Sequence, residues 1–171
     1  MQRRFLALAL CSAPLAVSAQ LPPDHPEWKE LEAPPPPALR TSGLVPVDVP
    51  GTTMRFGIDP ASVSVGQDSI VRYVIVATSP TGTVNAMYEG IRCDKGEVKV
   101  YARYNPDSSG WVPSRGAEWQ PLFGRPASSY SLVVARSGAC SGRTPNGNAA
   151  TIVQDLRAPI DRRFERGGVN R

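Results

Sequence analysis

The run Ile70–Thr78, IVRYVIVAT, constrains this chain more than any other segment. It is rich in β-branched side chains and nearly all apolar. A half-exposed strand alternates apolar with polar residues, whereas a continuous apolar run of this length needs cover on both sides. The run therefore predicts a central strand buried on both faces.

Turn signals bound it. Gly66-Gln67-Asp68 precedes it and Ser79-Pro80-Thr81-Gly82 follows. Val84–Cys93 reads as the next strand, with Val84, Ala86 and Tyr88 on one face and Met87, Ile91 and Cys93 on the other. Asp94-Lys95-Gly96 is a hairpin turn. Glu97–Tyr104 (EVKVYARY) alternates, and its pattern predicts that Val98, Val100, Ala102 and Tyr104 share one face. Three strands joined by short turns form an antiparallel meander. Upstream, Thr53–Ile58 alternates weakly and ends at the turn Asp59-Pro60.

The pattern changes after Tyr104. Asn105–Pro126 holds four prolines and three glycines around Trp111, Trp119 and Phe123, and reads as a long loop or an irregular strand pair. Ser128–Arg136 fits a short helix capped by Ser128 or Ser129 and ended near Gly138, or a strand through Leu132-Val133-Val134. Asn148–Leu156 reads as a last helix, capped by Asn148 and stopped before Pro159. The class is α+β: an antiparallel β-sheet of four to five strands with one or two C-terminal helices and one disulfide.

The ends read differently. Residues 1–19 (MQRRFLALALCSAPLAVSA) join Arg3 and Arg4 to an apolar run and small residues at Val17-Ser18-Ala19, the pattern of a signal peptide cut after Ala19. Leu10 stands where a lipoprotein signal needs a small residue, so Cys11 reads as filler of the apolar run. Residues 20–50 are a proline-rich leader. Leu21–Pro50 carries nine prolines, including Pro34–Pro37. Proline fixes φ and removes a donor, so the leader is expected to be disordered or an extended polyproline II spacer. Glu27, Glu30 and Glu32 flank Trp28, which makes the segment either a plain leader or a docking strip anchored by that indole. Residues 51–158 form the single α+β domain, and 159–171 a basic flexible tail.

Export leaves Cys93 and Cys140. An even count in an oxidising compartment implies one disulfide, closing a loop worth about 4 kcal/mol in the chain-entropy model. The expected location is periplasmic or secreted. The net charge of +4 includes Arg3 and Arg4, so the exported chain carries little charge and makes no case for nucleic acid. No later segment is apolar enough for stable membrane insertion.

The segments FGIDPASVSVGQDSIVRYVIVATSPTG, YEGIRC and VYARYN, with a downstream Trp, resemble the cryptic neisserial protein family over about Phe56–Leu156. These are exported proteobacterial proteins without an established activity. The resemblance implies an envelope location and a single shared domain, and it carries over no catalytic residue.

Several chemistries are missing. The single histidine, His25, lies in the leader, so the domain has no Ser/His/Asp or Cys/His set. With the cysteines paired, no zinc site built on imidazole or thiolate remains, and neither a metal nor a cofactor is expected. Lys95 and Lys99 sit on a turn and a strand face, poor places to activate a serine. Asn105–Gly110 spaces its oxygens like the start of a calcium loop, but Gly116 stands where a bidentate Glu belongs, so it reads as a turn.

Glu89 is the most informative acid. It lies mid-strand, and a buried carboxylate needs a partner. Arg72 and Arg103 are the candidates for a buried pair with it; alternatively, arginines line an anion site that Glu89 orients. Trp111, Arg115, Trp119, Phe123 and Arg125 form a candidate binding surface, since loop tryptophans stack on sugars, anchor partners or plug a sheet end. The expectation is a non-enzymatic binding or adaptor domain of the cell envelope, whose partner is an envelope protein or a cell-wall glycan. The alternatives are a small inhibitor of a glycan hydrolase or protease, and a carboxylate-based glycan hydrolase using Glu89 or Glu118.

Overall fold

The computed structural model describes residues 28–123 and 129–158. The signal-peptide reading of 1–19, the tail 159–171 and Arg125 lie outside the described residues. No described helix is long and apolar enough to cross a membrane.

Chain order gives β1 (Val45–Val47), β2 (Arg55–Ile58), β3 (Ser64–Val65), β4 (Ile70–Thr78), β5 (Val84–Arg92), β6 (Glu97–Asn105), β7 (Gly110–Pro113) and β8 (Gln120–Pro121). Then come α1 (Ser129–Val134), a wider turn over Ala135–Ala139, β9 (Cys140–Ser141), β10 (Thr144–Pro145) and α2 (Ala149–Arg157). The first eight strands make one antiparallel sheet, ordered β1-β2-β4-β5-β6-β7, with β3 on β4 and β8 on β6. The sheet is thus larger than the four to five strands expected. The extra members are short, and their prolines hide them from a pattern search: Pro46 in β1, Pro113 in β7, Pro121 in β8. Asn105–Gly110 is the turn of the β6–β7 hairpin, where the Asn105 carboxamide accepts from the Asp107 N–H at 3.0 Å.

The central strand is where IVRYVIVAT placed it. Every residue of β4 except Thr78 is buried. Its two faces feed two clusters. Val71, Tyr73 and Ile75 join Met87, Ile91, Val98, Val134, Ile152 and Leu156 on the front. Val74 and Val76 join Ala86, Tyr88 and Ala102 on the back. The faces of β5 fall as its alternation predicts.

Those of β6 do not. Tyr88 pairs with Ala102 but Glu89 with Val100, so Tyr101 is an extra residue. This bulge leaves Val98 and Val100 at the front and turns Tyr101, Ala102 and Tyr104 to the back. Gly90 opposite makes the room, since a Cβ there would meet the Tyr101 ring and Ile70 Cγ2 at 2.8 Å each.

The helices cover the front. Of Ser128–Arg136, open between helix and strand from its sequence, Ser129–Arg136 folds as α1 and the turn after it, while the Ser128 cap lies outside the described residues. Asn148 caps α2, its side chain accepting from the Thr151 N–H at 3.1 Å. Gly138 brings the turn against α2 so closely that a Cβ would lie 3.0 Å from the Leu156 nitrogen. The Cys93–Cys140 disulfide, with Cα atoms 5.7 Å apart, ties the end of β5 to the start of β9.

The proline-rich leader covers the back through Ala33, Leu39 and Leu44, and of its two expected states, disordered or extended, residues 28–44 take the extended one, laid along the sheet. Glu30, Ala33, Pro36 and Leu39 are half-buried while the residues between them are exposed. A burial repeat of three is that of one edge of a polyproline II helix. Beyond Leu44 the repeat becomes two, with Val45, Val47 and Val49 buried and Pro46, Asp48 and Pro50 exposed, as a strand requires. Polyproline II stiffness makes a segment extended; it does not stop that segment from lying on a sheet.

Candidate functional site

Glu89 is fully buried on the front face of β5. Strand register puts Tyr73 of β4 directly opposite it. The Tyr73 hydroxyl donates to Glu89 Oε2 at 3.0 Å, and Ser131 of α1 donates to the same oxygen at 3.0 Å. Tyr130 donates to Oε1 at 2.7 Å. The Tyr130 ring is held by stacking on Phe56, centroids 5.1 Å apart. Three hydroxyls therefore use three of the carboxylate's roughly four acceptor positions. Burial pushes the Glu89 carboxyl above its ordinary range, although these hydroxyls and the more distant Arg103 charge pull the other way. Burial and the neighbouring carboxylate likewise raise the Tyr73 and Tyr130 phenols.

This network floors a cleft of about 420 Å³ between β6, the β7–β8 loop and α1. Arg103, Arg115, Glu118 and Gln120 stand around its mouth. Ser114 also lines it, with a buried hydroxyl that has no hydrogen-bond partner among the described residues. The bulge sits beside Glu89, a common device for aiming side chains near a site.

Arg72 is not the partner of Glu89. It pairs across the ladder with Gly90 and so points to the back. There it makes a bidentate ion pair with Asp68, at 2.6 and 3.1 Å. Both side chains are buried. One residue of strand register separates the two faces, which is why nearness in sequence misled. Arg103 does reach the Glu89 side, but as a cleft residue and not as a contact ion pair among the described residues.

The candidate surface is dispersed. Arg115 belongs to the Glu89 cleft. Phe123 is exposed and lines a second cleft, beside the disulfide, under Arg136. Trp111 and Trp119 are engaged by the leader. Trp111 donates its indole N–H to the Pro37 carbonyl at 2.8 Å and packs edge-on against Tyr104. Trp119 donates to Glu30 Oε2 at 3.0 Å and meets Trp28 edge-on.

Glu30 also accepts from Tyr101 at 2.9 Å and Lys99 at 3.0 Å. Burial alone would raise its carboxyl, but bonds from Lys99, Trp119 and Tyr101 outweigh that and hold it below the ordinary range. Trp28 donates to the Asp68 carbonyl at 2.9 Å and lies under the Arg92 guanidinium, 3.5 Å from its ring centroid. Asp68 accepts from the Leu31 N–H at 3.1 Å, and Arg72 donates to the Leu31 carbonyl at 3.3 Å. Against its burial, Arg72 and the main-chain amides of Leu31 and Ile70 hold the Asp68 carboxyl low.

Sequence reasoning missed Tyr73, Tyr130, Ser131 and Ser114 at the front and the roles of Glu30 and Asp68 at the back. The acid-flanked Trp28 was the available signal for the last two.

The CNP1-like family model matches residues 23–157, a span that takes in the leader as well as the sheet and helices. The chain belongs to the CNP1-like family. No curated protein and no solved structure matches it. The proline-rich segment is thus part of what this CNP1-like chain shares with its family. Among the described residues of the CNP1-like domain, no three His, Cys, Asp or Glu side chains gather as a metal site would need.

Proposed function

We propose that this CNP1-like protein is an exported, non-enzymatic binding domain of the cell envelope, periplasmic or secreted, and that its ligand enters the Glu89 cleft. The observation that carries this reading is the cleft itself: a concave site with a buried carboxylate network as floor and Arg103 and Arg115 at its mouth. Ligand sites characteristically combine such a concavity with a few fixed polar groups. The amino-terminal signal pattern and the disulfide support export. Three hydroxyls hold Glu89 in one orientation, which suits recognition better than proton transfer. An envelope protein or a cell-wall glycan is the partner.

The test places a photoreactive residue at position 115 in the full chain and irradiates intact envelopes. The expected result is one specific adduct that the same residue at Asp107, on the β6–β7 turn, does not give. Equal capture from both positions would overturn the assignment.

A second reading is carboxylate-based glycan hydrolysis, because Glu89 and Glu118 line the same cleft. It requires turnover of cell-wall glycan that both Glu89→Gln and Glu118→Gln abolish. Absence of turnover by the folded wild-type chain removes it.

A further inference from the structure

The leader rests on the back of the sheet in the manner of a bound peptide. Its contacting edge is Glu30, Ala33, Pro36 and Leu39, one residue per polyproline turn. Beneath it lie aromatic rings from three strands, Tyr88, Tyr101, Tyr104 and Trp111. Trp111 gives its indole N–H to a proline-region carbonyl, and Lys99, Tyr101 and Trp119 close on the carboxylate at the other end. Aromatic-lined grooves with an indole donor are a recurrent way of reading polyproline II segments, which lose little entropy on binding.

No residue from 28 to 43 is fully buried, whereas Val45, Val47 and Val49 are. The segment lies on the groove and is not built into the core. It joins β1 through Thr41-Ser42-Gly43, where Gly43 has φ +69° and open space around its Cα. Nothing in the contacts requires the bound segment to belong to the same chain.

We infer that the back face is a polyproline-reading groove and that the leader is its resident, displaceable ligand. The partner it fits is an extended proline-rich segment of another envelope protein. That segment carries the spacing seen here: an acid, then a small residue at +3, proline at +6 and an aliphatic residue at +9. The tether gives the leader a high local concentration, so a foreign segment binds when it matches this pattern more closely or when the leader is pulled away.

The experiment uses the full exported chain and a fluorescein-labelled peptide copying residues 28–40. Ala33→Glu with Leu39→Glu loosens the leader in cis without touching the sheet. Pro36→Gly with Pro37→Gly loosens it by a different route, through lost stiffness. Anisotropy is expected to show the peptide binding either loosened chain at least tenfold more tightly than wild type. Adding Trp111→Ala to a loosened chain should weaken binding at least fivefold, as should Glu30→Gln in the peptide. Equal binding by wild-type and both loosened chains overturns the inference, as does binding that ignores Trp111. Wild-type dimers held by exchanged leaders would make a second copy the occupant and overturn the assignment to a foreign partner.

Discussion

The two faces of this sheet are covered by opposite means. The front is closed by helices, a disulfide and a continuous apolar cluster, with one polar network sunk inside it. The back is closed by a single extended segment held through charges, indole donors and stacked rings. The front cover follows from hydrophobic burial and is cooperative with the core. The back cover is a set of separable side-chain bonds, each modest because each competes with water. A carboxylate therefore does different work on the two sides. Glu89 is enclosed, and its charge is disfavoured. Glu30 and Asp68 are met by donors, and their charges are favoured.

The largest test of this contrast is Cys93→Ser with Cys140→Ser. It should cost about 4 kcal/mol of stability in denaturant unfolding while leaving the leader's contacts with the back in place. Asp68→Asn comes next, at about 3 kcal/mol, because it strips the buried Arg72 of its counter-charge. It should also weaken the hold on the Leu31 N–H, which that carboxylate accepts, and so loosen the nearby Trp28, although its bond to the Asp68 main-chain carbonyl is untouched; the readout is a red shift in tryptophan emission. If that variant keeps the leader attached, the polar account of the back is wrong.

The pH profile separates the faces by sign. Glu89 has a raised value in the folded chain, so the native state holds its proton longer than the unfolded one. Its contribution to stability falls as pH rises from the ordinary carboxylate range, near 4, through the raised value. Glu89→Gln should flatten that fall. Glu30 and Asp68 have lowered values. Their stabilisation is present above the ordinary range and is lost as pH falls through the lowered ones. Acid should thus detach the leader before the front unfolds, with a tryptophan emission change that precedes loss of the far-UV signal. The smallest effect is Glu30→Gln at neutral pH, below about 1 kcal/mol for a partly exposed set of bonds. Its signature is a weaker early acid step, since Asp68 alone then carries it.

The parts of the fold written in one repeat were legible. IVRYVIVAT, the faces of β5, the Asn148 cap and the cysteine pair could be read because burial periodicity, capping chemistry and an even thiol count act locally. What could not be read depends on register between distant segments. Glu89 could be singled out as a buried acid, but its partner is chosen by which β4 residue stands opposite, and a shift of one exchanges Tyr73 for Arg72. The tryptophans could be singled out as exposed-loop aromatics, yet the leader that engages them lies some 80 residues upstream. A proline run says only that the segment is extended. The spacing Glu30, Ala33, Pro36 and Leu39 carried more, since a repeat of three is itself a pattern.

Tyr101 has one further consequence, for changes of chain length. Of the seven residues Glu97–Arg103 that run along β5, six pair with it, and Tyr101 is the surplus one. Deleting it would leave Val98, Val100, Arg103 and Tyr104 on the sides they occupy now. Deleting Val100 or Ala102 instead would leave Tyr101 to fill the gap in the pleat, forcing a large phenol into an aliphatic place. The strand can thus shorten by one residue at one position and keep its order, at the cost of the hydroxyl that Tyr101 offers to Glu30.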